Sequence, residues 1–104
     1  MRLKDKVVIV TGGARGLGRE YALQFSSEGA KVAVCDVLDC GETAKEIESK
    51  GGEVLSLETD VSSEKSTIEM AQKTAERFGG IDILVNNAAI YGGIQPKPFY
   101  EFTV

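Results

Sequence analysis

The chain has 104 residues, 42% hydrophobic and 27% charged, with only two prolines, which is typical of one globular domain and excludes a disordered or collagen-like chain. The formal net charge is −4 and basic residues are scattered among acidic ones, so no positive patch for nucleic acid or a membrane surface is expected. There is no histidine, and the spacing of Cys35 and Cys40 matches neither a zinc site nor a C-x-x-C redox pair, so we predict no metal site and two free thiols.

Four short runs of apolar and β-branched residues predict β-strands, at 7–10, 31–35, 53–57 and 81–85. The first and last runs are almost continuously apolar, which is typical of strands that helices cover on both faces. The first run is too short for the core of a signal peptide or for a membrane span, so a cytoplasmic protein is expected.

Helical spacing of apolar residues predicts a helix after each of the first three strands. Gly29 and the glycine pairs at 51–52 and 79–80 are placed to end these helices, and Ser62 or Ser63 is placed to cap the third. The predicted apolar faces are, in chain order, those of Leu17, Tyr21 and Phe25, of Ala44 and Ile47, and of Ile68, Ala71, Ala75 and Phe78.

The alternation of strands and helices predicts an α/β fold. We expect one domain over 1–104, a truncated, Rossmann-type doubly wound parallel sheet of about four strands in the order 3-2-1-4. Glycines, prolines and aromatic residues then predict an irregular tail over about 92–104. In this order strand four is an unprotected edge near apolar residues of the tail, Phe99, Tyr100 and Phe102, so self-association through that edge is expected.

A glycine-rich segment, Thr11-Gly12-Gly13-Ala14-Arg15-Gly16-Leu17-Gly18, follows the first strand and opens the first helix. A turn that aims backbone amides and a helix N-terminus at a pyrophosphate needs glycine where phosphate and helix come closest. The T-G-x-x-x-G-x-G spacing resembles the short-chain dehydrogenase/reductase family, and the likeness extends to about Gly93. This resemblance implies an NAD(P)-dependent oxidoreductase that moves a hydride between an alcohol and a ketone. It assigns cofactor binding to Gly12, Ala14, Arg15, Gly16, Leu17 and Gly18.

Asp36 bears on the choice of cofactor. It ends the second predicted strand, close to the roughly 20-residue interval after the glycine-rich turn at which an acidic residue meets the adenosine ribose. A carboxylate there accepts hydrogen bonds from ribose hydroxyls and repels a 2′-phosphate, so NAD is favoured. Arg15 resembles the basic residue of NADP-preferring members of the family, which keeps NADP possible. The structural alternatives are a strand-end cap for Asp36 and a solvated turn residue for Arg15.

Two further elements match the family's pattern. Asp60-Val61 follows the third strand and, by resemblance, lies against the adenine ring, although Asp60 can equally help to start the next helix. Asn86-Asn87-Ala88-Ala89 resembles the family's N-N-A-G element, with alanine in place of the last glycine. By resemblance Asn87 and Ala88 line the nicotinamide-side ribose, whereas Asn86 is interpreted as structural.

No catalytic residue can be assigned. The family uses a tyrosine with a lysine four residues on and a serine that holds the substrate oxygen, and in its layout these lie on strands beyond residue 104. We therefore expect a cofactor-binding part that is inactive alone, whose alcohol or carbonyl substrate binds only in a longer parent. The alternative is a non-catalytic dinucleotide-binding module or sensor. The tyrosine–lysine pair is absent from this sequence, because the residues four places beyond its tyrosines, Tyr21, Tyr91 and Tyr100, are Phe25, Gln95 and Val104.

Overall fold

Strands and helices alternate along the chain in the computed structural model, which describes residues 3–87 and 101–103. The helices are α1 (Gly16–Ser27), α2 (Gly41–Ser49) and α3 (Glu64–Phe78). The strands are β1 (Val7–Thr11), β2 (Lys31–Asp36), β3 (Val54–Glu58), β4 (Ile83–Asn86) and β5 (Glu101–Thr103). The α/β alternation predicted from the sequence is confirmed.

The strands form one sheet in the order β3-β2-β1-β4-β5. The pairings β1–β2, β1–β4 and β2–β3 are parallel, which confirms the predicted order 3-2-1-4 and the Rossmann-type arrangement. The register places Thr11 opposite Cys35 on one side and Asn86 on the other. The carboxyl ends of three neighbouring strands therefore meet at one edge of the sheet.

The strand β5 corrects two predictions. Part of the segment predicted as irregular, 101–103, is a strand, and it pairs antiparallel with β4, so that β4 is not the unprotected edge on which the sequence predicts self-association. The physical reason is that β4 presents a row of N–H and C=O groups that a short β-forming segment of the same chain can satisfy. The rest of the tail that carries the predicted apolar patch, up to Tyr100, lies outside the described residues.

The sheet is covered on both faces. On one face Val8, Val10, Val32 and Val34 pack with Ala22 of α1, and Ile47 of α2 completes the same cluster. On the other face Ile9, Ala33 and Cys35 pack with Met70 of α3. All five residues of β1 are buried, because the strand is central in the sheet and lies between two layers of helices.

The faces that α1 and α3 bury agree with the predicted ones only in part. In α1 the predicted Tyr21 and Phe25 are partly buried against the core cluster, but the fully buried residues are Gly18 and Ala22, and Leu17 is 64% exposed. In α3 they are Met70 and Thr74, whereas Ile68 is 50% exposed. In each helix the surface against the sheet includes a residue that is not hydrophobic, Gly18 in α1 and Thr74 in α3, and a search for hydrophobic spacing does not detect it. The α2 face is as predicted, with Ile47 buried and Ala44 partly buried.

The ends of α3 follow the predicted signals. Ser63 is the N-cap, and its hydroxyl oxygen accepts a hydrogen bond from the Ser66 amide at 3.2 Å. At the other end Gly79 adopts φ +89° and its amide donates to the Ala75 carbonyl at 2.7 Å. Glycine adopts this left-handed conformation without the strain that a side chain would cause.

We expect Ser63→Ala to lower the free energy of unfolding by about 1 kcal/mol, because the amide that the hydroxyl satisfies is left without its cap. The measurement is urea denaturation, with a lower midpoint and an unchanged slope. Ser49→Ala is the matched control, since the Ser49 hydroxyl is exposed and only donates back to the Glu46 carbonyl in the last turn of α2. Equal midpoints for the two variants would contradict the capping role.

An ion-pair cluster joins α1 to α2. The Arg19 guanidinium binds the Glu46 carboxylate and lies 3.7 Å from that of Glu42, and Lys50 lies 3.5 Å from Glu46. The hydrogen bond from Arg19 lowers the pKa of Glu46 below its ordinary value. A carboxylate whose pKa is lowered by folding stabilises the folded state above its unfolded pKa, and that contribution is lost as the pH falls through the folded value.

Glu46→Gln should therefore make stability less dependent on acid. Between about pH 5 and pH 3 the free energy of unfolding of the unmodified chain should decrease, and the decrease should be smaller in Glu46→Gln. Urea titrations at several pH values measure both slopes. Glu48→Gln is the matched control. The Glu48 carboxylate is on the same helix but makes no ion pair with any described residue, so this variant should retain the slope of the unmodified chain. Parallel slopes for Glu46→Gln and Glu48→Gln would refute the assignment.

Candidate functional site

The residues predicted to form a site meet at the carboxyl edge of the sheet, which is where open α/β sheets bind their ligands. The glycine-rich turn follows β1, Asp36 ends β2, Asn86 ends β4 and Asn87 follows it, and these three strands are neighbours. Asp60 and Val61 follow β3, one strand further out, and the Thr59 amide donates to the Asp36 carbonyl at 2.8 Å. Ala88 lies outside the described residues.

The glycine-rich turn can be formed only by a backbone with few side chains. Gly12 and Gly16 have φ values of +68° and +63°, the left-handed region that glycine adopts freely. Gly18 is required for space, because a Cβ there would lie 1.8 Å from the Gly12 carbonyl oxygen and 2.8 Å from Nδ2 of the Asn87 side chain. The N-terminus of α1 therefore lies directly against both the turn and the segment after β4.

The N-terminus of α1 has no cap from a side chain. Arg15 is the N-cap residue in extended conformation, it makes no side-chain capping bond, and the first turn contains no acidic residue. The first amides of a helix carry partial positive charge and need an acceptor from a side chain, water or a ligand. Arg15, Gly16 and Leu17 are all exposed, so this end of the helix is open to an anion.

The peptide group between Gly13 and Ala14 is held from two sides. The Gly13 carbonyl accepts a hydrogen bond from the Thr43 hydroxyl of α2 at 2.8 Å, and the Ala14 amide donates to Oδ2 of Asp36 at 3.1 Å. The Gly13 amide also donates to the Cys35 carbonyl at 3.1 Å. Thr43 was not predicted as a site residue. The only sequence signal is a hydroxyl residue that shares the buried face of α2 with Ile47.

Asp36 acts as the strand-end cap that the sequence offers as a structural alternative. Besides the Ala14 amide on Oδ2, its Oδ1 accepts from the Leu38 amide at 3.1 Å. Each carboxylate oxygen has a second lone pair, and Asp36 is partly exposed. Capping and binding of a ribose hydroxyl are therefore compatible.

Thr11 connects β1 to the end of β4. Its hydroxyl lies 3.1 Å from Oδ1 of Asn86 and 3.4 Å from the Val85 carbonyl, either of which it can donate to, and it accepts from the Asn87 amide at 3.0 Å. Thr11 is buried, so its hydroxyl needs these partners. The structural role predicted for Asn86 is supported by this bond, and the Asn87 backbone is fixed beside Gly18.

Asp60 organises the start of α3. Its Oδ1 accepts from the Ser62 amide at 2.9 Å and from the Ser62 hydroxyl at 2.6 Å, and its own amide donates to the Ser66 hydroxyl at 2.9 Å. The two bonds from Ser62 lower the pKa of Asp60. The structural alternative for Asp60 is thus supported. Val61 is partly buried beside it.

Arg15 and Arg19 differ in their surroundings. Arg15 is exposed at the turn, as expected for a solvated residue, whereas Arg19 forms ion pairs with Glu42 and Glu46 of α2. Over residues 3–87 and 101–103, no three His, Cys, Asp or Glu side chains are grouped so as to hold a metal ion. In the same part of the chain, no helix has both the length and the apolar composition needed to cross a membrane.

Comparisons with known proteins agree with this geometry. The chain is 42% identical to an uncharacterized oxidoreductase of Thermotoga maritima over 98% of its length, and 38% identical to the 7alpha-hydroxysteroid dehydrogenase of Escherichia coli over 95%. Among solved structures it is similar to a short chain dehydrogenase from Mycobacterium smegmatis, with a TM-score of 0.82 and 37% identity over 88% of the chain.

The similarity covers only part of each relative. The chain spans 41% of the Thermotoga protein, 38% of the Escherichia enzyme and 40% of the Mycobacterium structure. The profile of the short chain dehydrogenases matches residues 6–104, nearly the whole chain. With the turn, the strand order and the relatives in agreement, the chain belongs to the short-chain dehydrogenase family.

Proposed function

We propose that this chain is the cofactor-binding part of an NAD-dependent oxidoreductase that interconverts an alcohol and a carbonyl compound. The observation that carries the proposal is the pairing of an uncapped helix N-terminus with a partly exposed Asp36 across the glycine-rich turn. The first suits a pyrophosphate and the second suits the hydroxyls of a ribose, which are the two groups that adjoin each other in a dinucleotide.

The residues present fit a nicotinamide dinucleotide. A Cβ at Gly18 would fill the space in which α1 approaches the turn, and the peptide groups around Gly12 and Gly16 carry no side chain that would keep a phosphate away. When bound, the nicotinamide would supply the hydride chemistry. On the adenosine side, the proposed contacts are those of Asp36 with the ribose and of Asp60 and Val61 with the adenine. Asn87 and Ala88 are proposed to line the nicotinamide-side ribose. The pyrophosphate is proposed to bind the glycine-rich turn, at Gly12, Ala14, Arg15, Gly16, Leu17 and Gly18.

The substrate class is argued from the relatives. Besides the hydroxysteroid dehydrogenase, a galactitol 2-dehydrogenase of Agrobacterium fabrum is 41% identical over 88% of the chain. Both names denote the oxidation of a hydroxyl group, although a steroid and a sugar alcohol share little else. An alcohol or ketone is therefore proposed without a choice of carbon skeleton. A cytoplasmic location belongs to the same proposal, and two buried free thiols, Cys35 and Cys40, accord with a reducing compartment.

The preference for NAD over NADP is proposed from charge. Asp36 lies where the 2′ position of the ribose is expected, and a 2′-phosphate would add up to about two negative charges beside its carboxylate. Arg15 is exposed on the turn and is the one nearby cation in the glycine-rich segment, so it offsets part of this repulsion.

Asp36→Arg should shift the ratio of the dissociation constants toward NADP by at least about tenfold. The affinity for both cofactors should also fall, because the Ala14 amide loses its acceptor. Calorimetric titration with each cofactor measures the ratio. Asp39→Arg makes the same change of charge three residues away on an exposed loop, where the carboxylate bonds only the Gly41 amide, and it should leave the ratio unchanged. An unchanged ratio in Asp36→Arg would show that Asp36 does not face the ribose.

We expect the 104-residue chain to bind NAD without oxidising an alcohol. No tyrosine in its sequence is followed by a lysine four residues later, so it has no base of the family's kind to take the hydroxyl proton. The measurement is the appearance of NADH absorbance with a panel of steroid and sugar alcohols, with the full-length Escherichia hydroxysteroid dehydrogenase as positive control. Turnover by this chain at a comparable rate would contradict the proposal that its part is binding alone.

A further inference from the structure

We propose that Thr43 is a positioning residue for the cofactor, which holds the glycine-rich turn in its binding conformation through the Gly13 carbonyl. The inference rests on the proposed dinucleotide binding and adds a residue from α2, an element that contributes nothing else to the site. Thr43 is 0% exposed, and its hydroxyl donates to the Gly13 carbonyl at 2.8 Å across thirty positions of sequence.

The geometry of one peptide plane carries the argument. In a trans peptide the C=O of one residue and the N–H of the next point to opposite sides. Here Thr43 binds the carbonyl of Gly13, and Asp36 binds the amide of Ala14, so the same plane is held at both ends by side chains from different elements. Rotation of the plane would break both bonds, and the amides that follow it, at Arg15 and Gly16, take their direction from it.

Gly13 is held tightly in other respects as well. It is buried, its amide donates to the Cys35 carbonyl, and a Cβ at this position would lie 3.1 Å from Cβ of Val34. Its carbonyl is therefore shielded from water and depends on the Thr43 hydroxyl. A buried acceptor that loses its donor keeps the full cost of desolvation, so the turn would rearrange to satisfy it.

Packing in the core does not require a hydroxyl at position 43. The nearest buried residues before and after it along the chain, Cys40 and Ile47, belong to the apolar cluster, and Val at position 43 would match threonine in shape while lacking the donor. Thr74 offers a matched control on the opposite face of the sheet. It is also 0% exposed, and its hydroxyl donates at 2.8 Å to a backbone carbonyl, that of Met70 within α3.

The test compares Thr43→Val, Thr43→Ser and Thr74→Val in the 104-residue chain by calorimetric titration with NAD. The conditions are those in which urea denaturation shows every variant to be folded. We expect Thr43→Val to bind NAD about tenfold more weakly than the unmodified chain. Thr43→Ser restores the donor and should bind within about twofold of it. Thr74→Val should bind with unchanged affinity even where it unfolds at a lower urea concentration.

A second measurement needs no cofactor. Hydrogen exchange of the Ala14 amide should accelerate in Thr43→Val relative to the amides of β2, and it should not accelerate in Thr43→Ser or Thr74→Val. If the unmodified chain binds NAD and Thr43→Val binds it equally well, the positioning role is overturned. If the unmodified chain binds no NAD, the proposed function falls, and exchange at Ala14 alone decides whether Thr43 holds the turn. Unchanged exchange would then overturn the inference.

Discussion

The close approach of α1 to the end of β1 is the contact on which the carboxyl edge of the sheet depends. It is possible only because Gly18 has no side chain, since a Cβ would enter the space of the Gly12 carbonyl and of the Asn87 side chain. Ala22, one turn further on, continues the same small surface. The first turn of α1 therefore lies against the segments that follow β1 and β4, and Leu17 is exposed.

Polar contacts then fix the loops around this contact. The Thr11 hydroxyl connects β1 to the segment after β4, and Asp36 connects β2 to the turn. The Thr11 hydroxyl bonds the Asn86 side chain and the Asn87 amide, and the Asp36 carboxylate bonds the Ala14 amide, so side chains at the ends of the strands hold the segments that follow them. The edge is thus ordered by the protein itself, which reduces the conformational entropy that a ligand would have to remove on binding. Asp60 does the same for the loop that leads into α3.

The sequence predicts the backbone of this fold better than it predicts which side chains meet. Strand order and helix ends followed from β-branched runs, glycines and Ser63, all of which act locally or through the handedness of the crossovers. The faces of α1 and α3 followed only in part, because the residues buried most deeply against the sheet include Gly18 and Thr74, which fit by size or hydrogen bonding and not by hydrophobicity.

Long-range pairs were the other limit. Thr43 and Gly13 are distant in sequence, and the type of neither residue predicts the hydrogen bond that joins them. The strand β5 is short, and its pairing depends on β4 being available rather than on a strong local pattern. In contrast, the glycines at 12, 16 and 18 and the carboxylate at 36 were found from the sequence because tight turns and strand ends restrict residue type on their own.

The two buried cysteines near Asp36, Cys35 and Cys40, make local opening of the fold measurable by chemical modification. Burial raises the pKa of both Cys35 and Cys40 to about 12, so at neutral pH each is a protonated thiol inside the protein. An alkylating reagent reacts with the thiolate, and it can reach these sulfur atoms only when β2 or the start of α2 opens. The rate at which Cys35 is alkylated under native conditions is therefore a measure of how often the strand that carries Asp36 separates from its neighbours, and the rate at Cys40 is the corresponding measure for the start of α2.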